Sequence, residues 1–385
     1  MLLIKNGYVK PMCAPDIPNG CVLIDGGKIA GVGENLPVPD GCEVIDAGGR
    51  LVTPGFVEAH CHIGLEEEGI GFEGSDVNER TDPCTPQMRA IDAVNPACEA
   101  FSLALQAGVT TACTGPGSAN VVGGTFAALK LQGQRVDDMI LRNPLAMKIA
   151  FGENPKRFYG NQQKSPITRM ATAAILRDLL SRAQRYLADI DAAAADPGVK
   201  APAYDCKLEA MLPVLRHQIP LKAHAHRADD IFTALRIARE FGLDITLDHC
   251  TEGHLIADIL AQEHVPVFIG PSFGSKSKYE LREKSFKTPS VLAKAGIKFG
   301  IITDAPVIPL QYLPLCAGLA ARSGLAEDDA WKAVTLWPSE LLGLSDRVGA
   351  LREGLDADVV IHEKNPLSEI GAKVYRVILS GRVVV

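Results

Sequence analysis

The middle of this chain alternates short apolar runs with helical segments, and that order restricts the possible folds more than any other feature. The strand candidates are GVTTACTG, residues 145–151, IPLKAHAH, LDITLDH, VPVFIG and KFGIITD. Helix candidates lie among them at residues 96–108, 171–195, 229–241, 253–262 and 289–295. Because repeated β–α units place parallel strands inside a layer of helices, the sequence predicts an α/β fold, a (β/α)8 TIM barrel.

The two ends of the chain differ in texture from the middle. Short apolar runs punctuated by glycine, asparagine and proline occur near the start (LLIKNGYVKP, CVLIDGGKIAGVG, CEVIDAGG) and near the end (RVGALREGLDADVVIHEKN, YRVILSGRVVV). Such runs are typical of strands joined by turns. Since chain termini commonly meet in space, we predict a composite β-sandwich domain from residues 1–52 and 347–385, and a barrel from residues 53–346.

The composition restricts the partners and the location. The 385 residues carry a formal net charge of −7, which argues against a nucleic-acid-binding surface. No apolar run approaches the ~20 residues of a membrane helix, so no membrane association is expected. The 10 cysteines form no CxxC pair, which favours reduced thiols in a cytoplasmic protein. We expect a small-molecule substrate and a homo-oligomer.

Two histidines stand at the end of the first apolar strand of the middle region, in VTPGFVEAHCHIG. Strand side chains alternate between faces, so His60 and His62 point to one side and Cys61 to the other. Glu58 falls on the same side as the histidines, one step deeper. Two imidazoles placed in this way can share a divalent cation, with zinc as the first expectation.

Further metal-type ligands end three of the later strands. IPLKAHAH ends in His224 and His226, LDITLDH in His249, and the last strand in Asp304. A single histidine at a strand end is more often a structural residue. Because a barrel brings the carboxyl ends of its strands to one face, these residues together predict a site for one or two divalent cations.

Such a site favours hydrolysis. A bound cation polarises a carbonyl group and lowers the pKa of bound water to about 7. A carboxylate at the barrel mouth can then accept the proton of that water, and Asp304 is placed for this role of general base. The alternative for Asp304 is an N-cap at the following turn.

The segments PGFVEAHCH, KAHAH, LDHCTE and IITDAP, between ends of strand character, resemble the amidohydrolase superfamily of metal-dependent hydrolases. Residues 348–361 resemble the usual closing strand pair of that family. The chain is most similar to imidazolonepropionase-like and prolidase-like bacterial members. The resemblance implies that His60 and His62 bind the more buried metal. It also implies that Asp304 binds that metal and acts as general base.

The resemblance extends to the later histidines. His224 and His249 match the histidines that bind a second metal, or that help to hold the substrate where only one metal is bound. Between His224 and His226 we prefer His224 as the ligand, because it emerges first from its strand. His226 would then orient a ligand or donate a hydrogen bond to the substrate carbonyl during catalysis.

The position that bridges two metals has two candidates. Many relatives use a carboxylated lysine there and others a glutamate. Lys148 lies within an apolar run, where a charged side chain needs a reason, and Glu153 lies at the end of the same strand. Both remain candidate metal ligands, Lys148 in carboxylated form. The alternative is a site with a single metal in which neither residue binds.

Candidate substrate-binding residues lie in loops after the strands. Residues 272–287 form a polar, basic loop that can offer cations to an anionic substrate, and a plain solvated loop is the alternative. The candidates are Asn120, Arg157, Tyr159, Lys276, Lys278 and Arg282.

The expected reaction is cleavage of a C–N amide bond in a cyclic amide, an N-acyl amino acid or a dipeptide. Deaminating relatives carry a glutamate three residues after the strand histidine, where this chain has Arg227 or Asp229. A prolidase-like dipeptidase is the nearest alternative. The others are a non-catalytic metal-binding barrel and an isomerase or lyase that uses the metal as a Lewis acid.

Overall fold

The computed structural model describes residues 1–67 and 71–385 and contains two sheets of eight strands each. The strands are β1 (Leu2–Val9), β2 (Ile17–Asp25), β3 (Lys28–Gly33), β4 (Glu43–Asp46), β5 (Leu51–Pro54), β6 (Phe56–Cys61), β7 (Val109–Thr114), β8 (Val122–Lys130), β9 (Ile140–Ala150), β10 (Leu221–Ala225), β11 (Ile245–His249), β12 (Val267–Ile269), β13 (Phe299–Ile301), β14 (Val359–His362), β15 (Val374–Leu379) and β16 (Arg382–Val383).

The helices lie mainly between the strands of the second sheet. They are α1 (Glu99–Gln106), α2 (Val136–Met139), α3 (Glu153–Gly160), α4 (Arg169–Ala195), α5 (Cys206–Leu215), α6 (Ala228–Phe241), α7 (Ala257–Glu263), α8 (Thr288–Lys294), α9 (Leu313–Arg322), α10 (Glu327–Lys332) and α11 (Leu336–Leu341). No helix in the described part of the chain is both long enough and apolar enough to cross a membrane.

Both ends of the chain contribute to the first sheet. Its strand order is β16-β15-β14-β5-β1-β2-β3, and β4 pairs with β1. The antiparallel pairing of β5 with β14 joins the two ends, with Val52 opposite Ile361. A separate apolar core, which includes Ile4, Val22 and Ile378, lies against this sheet. Strands from both ends of the chain therefore lie in one hydrogen-bonded sheet.

The second sheet is a nearly closed barrel in the order β13-β12-β11-β10-β9-β8-β7-β6. Seven of its strands are parallel, but β8 is antiparallel to both β7 and β9. The prediction of an α/β barrel with eight strands is confirmed, whereas the strict (β/α)8 repeat is interrupted at β8. The strand candidates read from the sequence do not include β8, which starts at Val122 and is buried along its whole length. Burial on both faces removes the period-two pattern that would identify a strand.

The first and last barrel strands, β6 and β13, meet without a ladder pair among the described residues. The Glu58 carboxylate in β6 accepts a hydrogen bond from the Thr303 backbone N–H (2.8 Å) and another from the Thr303 hydroxyl (2.7 Å). The His62 N–H donates to the Ala305 carbonyl at 2.7 Å. These contacts hold the end of β6 beside the segment that follows β13.

An apolar cluster fills the barrel below its mouth. It includes Val57, Ala59, Phe126, Phe268 and Ile302, all fully buried. Because such a cluster is close-packed, it gives the polar groups above it a rigid floor.

Candidate active site

The candidate metal ligands converge at the carboxyl ends of the barrel strands. One cluster contains His60, His62 and Asp304, and a second contains His224, His226 and His249. Within each cluster the candidate ligand atoms lie within 4.8 Å of one another. The ring centroids of His60 and His249 are 5.1 Å apart, so the two clusters are adjacent.

In the first cluster the Asp304 carboxylate faces two imidazoles. Its Oδ1 lies 3.3 Å from His60 Nε2 and 3.2 Å from His62 Nε2. His62 Nδ1 lies 2.7 Å from the Gly115 carbonyl, which can only accept a hydrogen bond, and this assigns the ring proton to Nδ1. His62 Nε2 is then free to bind a cation beside the carboxylate.

The second cluster also contains an imidazole nitrogen that is available to bind a cation. His249 Nδ1 donates to the Gly270 carbonyl at 2.7 Å, and the buried Nε2 has no hydrogen-bond partner. A buried polar atom without a partner is costly, so this nitrogen calls for a ligand. The ring centroids of His224 and His226 lie 4.4 Å and 4.7 Å from that of His249. His226 Nδ1 is 2.7 Å from the Thr251 hydroxyl.

Burial sets the charge states of these groups. It lowers the pKa of His224 and of His226 well below the usual value for histidine, and the pKa of His249 to about 4. Burial opposes ionisation of Asp304, but the surrounding histidines hold the pKa of its carboxyl group well below the usual value. Neutral imidazoles beside an ionised carboxylate are the donor set that a divalent cation such as zinc requires, so the residues fit the expected metal.

A buried acid–base network lies beneath the first cluster, and its acid was not identified from the sequence. Asp248 Oδ2 is 3.0 Å from His60 Nδ1, and Asp248 Oδ1 accepts a hydrogen bond from Lys222 Nζ at 2.7 Å. Asp248 and Lys222 are both fully buried. Burial opposes ionisation of Asp248, but His60 and Lys222 hold its pKa below the usual value. The negative charge of an ionised Asp248 at this distance favours the His60 proton on Nδ1, which leaves Nε2 for a cation.

The two candidates for a bridging ligand occupy different places. Lys148 is fully buried, with Nζ 3.4 Å from His60 Nε2, and burial lowers its pKa to about 8. Glu153 begins helix α3, and its carboxylate is 3.8 Å from the guanidinium group of Arg157. The structure therefore brings Lys148, but not Glu153, into contact with the first cluster.

A cavity of about 440 Å³ opens beside both clusters. Its wall includes His62, His224, His226, Asp304 and the loop residue Lys278. This volume is within the range of small-molecule sites, and polar side chains from several elements converge on it. The cavity places the clusters in reach of a substrate.

Most of the proposed substrate-binding residues lie away from this cavity. The Tyr159 hydroxyl donates to the side-chain oxygen Oδ1 of Asn120 at 2.5 Å, and both side chains are buried outside the cavity wall. Arg157 faces Glu153. Arg282 pairs with Glu252 at 2.8 Å, and Lys276 Nζ donates to the Arg282 carbonyl.

A second buried carboxylate near the clusters was also missed from the sequence. Glu280 Oε1 lies 3.7 Å from His226 Nε2 and 3.3 Å from Lys278 Nζ. The other oxygen of Glu280 accepts a hydrogen bond from the Glu153 backbone N–H at 2.8 Å. Glu280 belongs to the loop of residues 272–287. From the sequence, the lysines indicate a basic loop, and this interpretation leaves out its carboxylates.

A family model supplies the decisive comparison, because the Amidohydrolase family model matches residues 51–384. The chain belongs to the amidohydrolase family. Amidohydrolase tasK of Hapsidospora irregularis is 30% identical over an alignment of 388 positions that covers 94% of this chain and 39% of tasK. This chain thus spans less than half of that relative.

Two other relatives match over most or all of their length. An imidazolonepropionase of Cereibacter sphaeroides is 25% identical over an alignment of 392 positions that covers 93% of this chain and 92% of the relative. The crystal structure of an amidohydrolase from Thermotoga maritima superimposes with a TM-score of 0.97 at 41% identity and covers 100% of both chains. These matches confirm the family recognised from the sequence and the enzyme class, a hydrolase that acts on C–N bonds.

Proposed function

We propose that this amidohydrolase cleaves an amide C–N bond of a small molecule, either a cyclic amide or an N-acyl amino acid or dipeptide, with metal-activated water and Asp304 as general base. The observation that carries the proposal is the meeting of two histidine clusters and one ionised carboxylate on the wall of one cavity.

The candidate ligands form two sets, one for each proposed cation. His60, His62 and Asp304 would hold one cation, and His224 and His249 a second, with zinc proposed because imidazole donors predominate. Carboxylated Lys148 is the proposed bridge, since burial favours the neutral amine with which carbon dioxide reacts. A bound divalent cation would polarise the substrate carbonyl and make water acidic enough to react near neutral pH.

The chain itself handles the protons and the position of the substrate. Asp304 is ionised and lines the cavity, so its carboxylate can accept the proton of the attacking water and deliver it to the leaving nitrogen. His226 also lines the cavity. Its bond to Thr251 fixes the imidazole ring, which we propose as the group that orients the substrate carbonyl.

The test combines metal analysis with a substrate panel. Purified protein is stripped with a chelator and reloaded with zinc or manganese. It is then offered N-acyl amino acids, dipeptides that end in proline, and cyclic amides. We expect bound metal and release of amine or acid from at least one class, lost in the stripped protein. A metal-loaded protein that turns over no C–N substrate would contradict the proposal. Selective cleavage of the proline dipeptides would favour the dipeptidase alternative.

A further inference from the structure

The loop of residues 272–287 carries several cations beside the cavity, and most of them already have partners. Lys278 Nζ donates to the Asn154 side-chain oxygen at 2.8 Å and lies 3.3 Å from Glu280. Arg282 is paired with Glu252. Lys276 is exposed and donates to a backbone carbonyl. These three cations are therefore engaged within the protein.

Lys284 differs from them in both place and pairing. It is half-buried and lines the cavity together with Asp304. Its Nζ has one long hydrogen bond, 3.4 Å to the Ser275 carbonyl. Within residues 1–67 and 71–385 it forms no ion pair with a carboxylate. Burial lowers the pKa of Lys284, although the nearby Asp304 carboxylate acts in the opposite direction.

Gly274 lies beside this ammonium group. A side chain at Gly274 would start 3.8 Å from Lys284 Nζ, and the φ of Gly274, +83°, is one that L-residues rarely adopt. The positive φ favours glycine at this position, and no Cβ atom stands beside the Lys284 head group there.

A lysine ammonium has three hydrogen-bond donors, and Lys284 uses one of them weakly. A charged group in a partly desolvated place is costly unless an anion or several acceptors compensate it. An anion that enters the cavity would supply that compensation close to the reacting groups. One free ammonium group suits one negative charge, whereas phosphate sites usually gather several donors.

We propose that Lys284 binds a carboxylate group of the substrate. This inference rests on the proposed function and narrows it: the substrate is an acylated amino acid or a dipeptide with a free carboxylate, and not a neutral amide. Lys284 then acts as a specificity-determining residue that anchors the end of the substrate opposite the scissile bond.

Binding measurements test this separately from catalysis. The probes are N-acetyl-L-alanine, N-acetyl-L-leucine and N-acetyl-L-proline, each compared with its carboxamide by calorimetry on zinc-loaded protein. The variant Lys284→Met removes the charge and keeps most of the length of the side chain. Lys276→Met is the matched control, because it removes an exposed lysine from the same loop.

We expect the wild type and Lys276→Met to bind at least one carboxylate at least about tenfold more tightly than its carboxamide. In Lys284→Met that preference should fall to about threefold or less, with carboxamide binding unchanged. Equal binding of every pair by the wild type, including no detectable binding, would overturn the inference. Full retention of the preference in Lys284→Met would also overturn it, since the metal would then be the anion site. Hydrolysis of the same probes, scored separately, bears on the proposed function.

Discussion

The carboxylate of Asp248 lies 3.0 Å from Nδ1 of His60, while Asp304 faces Nε2 of the same ring at 3.3 Å. The imidazole is thus held between two carboxylates, one for each nitrogen. The Asp248 carboxylate also accepts a hydrogen bond from Lys222, and this contact stabilises its negative charge.

Replacement of Asp248 by asparagine should weaken metal binding. The asparagine oxygen can still accept from Lys222, but its amide would then donate to His60 Nδ1 and shift the ring proton to Nε2. A protonated Nε2 cannot bind a cation, and loss of such a contact typically costs about 10- to 100-fold in metal affinity. Zinc affinity measured by chelator competition checks this. Asp244→Asn, at an exposed position, is the control. Unchanged affinity in a folded Asp248→Asn protein would refute the role.

Asp304→Asn should retain metal and lose turnover. The backbone of Asp304 has a φ of +55°, a conformation that asparagine also tolerates, so the local fold should persist. Removal of a general base typically costs about 10²- to 10⁴-fold in rate. Rate measurements on whichever substrate the panel identifies, with metal content by mass spectrometry, provide the check. A variant as fast as the wild type would exclude Asp304 as the general base.

The two bridging candidates can be separated by a matched pair of substitutions. Lys148→Met should lower the number of cations bound per chain, because Lys148 contacts the first cluster. Glu153→Gln should leave that number unchanged, because its carboxylate faces Arg157. Metal stoichiometry after equilibrium dialysis distinguishes them. Loss of metal in Glu153→Gln alone would reverse the assignment.

A histidine far from the cavity should make stability depend on acidity. His362 is buried at the junction of the sheet and the barrel, where its Nε2 lies 3.0 Å from the Thr53 hydroxyl. Burial lowers its pKa from 6.5 to about 3. Between these values the unfolded chain binds a proton that the folded protein excludes, so stability present above pH 6.5 is lost as the pH falls.

From pH 7 to pH 5 this single group should remove roughly 2 kcal/mol from the free energy of unfolding. His362→Gln can keep the donor to Thr53 but not the titration, so its unfolding free energy should fall less over the same range. Urea unfolding at both pH values measures the difference. His264→Asn, an exposed position with a φ of +53°, should behave like the wild type. Identical pH dependence in His362→Gln and the wild type would show that His362 does not carry the effect.

Strand periodicity bears on the geometry of the first cluster. His60 and His62 were placed on one face, and both rings reach the same oxygen of Asp304. Strand alternation alone does not explain the positions of the later candidate ligands. Asp248 takes the inward position on β11, and His249 reaches the second cluster after its backbone adopts a φ of +73°. An alternating strand pattern does not reveal such a change of backbone conformation. His249 was therefore identified from the sequence, whereas Asp248 was not.

Residues that act through long-range contacts were the hardest to predict. Lys222 shares the alternating face of His224, and its charge within an apolar strand is the same signal that identified Lys148. Glu280 and Lys284 lie in a loop whose path depends on the packing of the whole barrel. Their importance follows from which loop charges are already paired, and that pairing is a property of three-dimensional contacts.

The Glu58 contact to Thr303 has a consequence for how this site can change. His60 and His62 stand on one side of the joint between the first and last barrel strands, and Asp304 stands on the other. Neighbouring strands elsewhere are kept in register by repeated backbone bonds, whereas in the described part of the chain this joint has the Glu58 carboxylate and the bond from His62 to Ala305. A descendant that lost Glu58 would keep every ligand in its sequence and still lose their alignment.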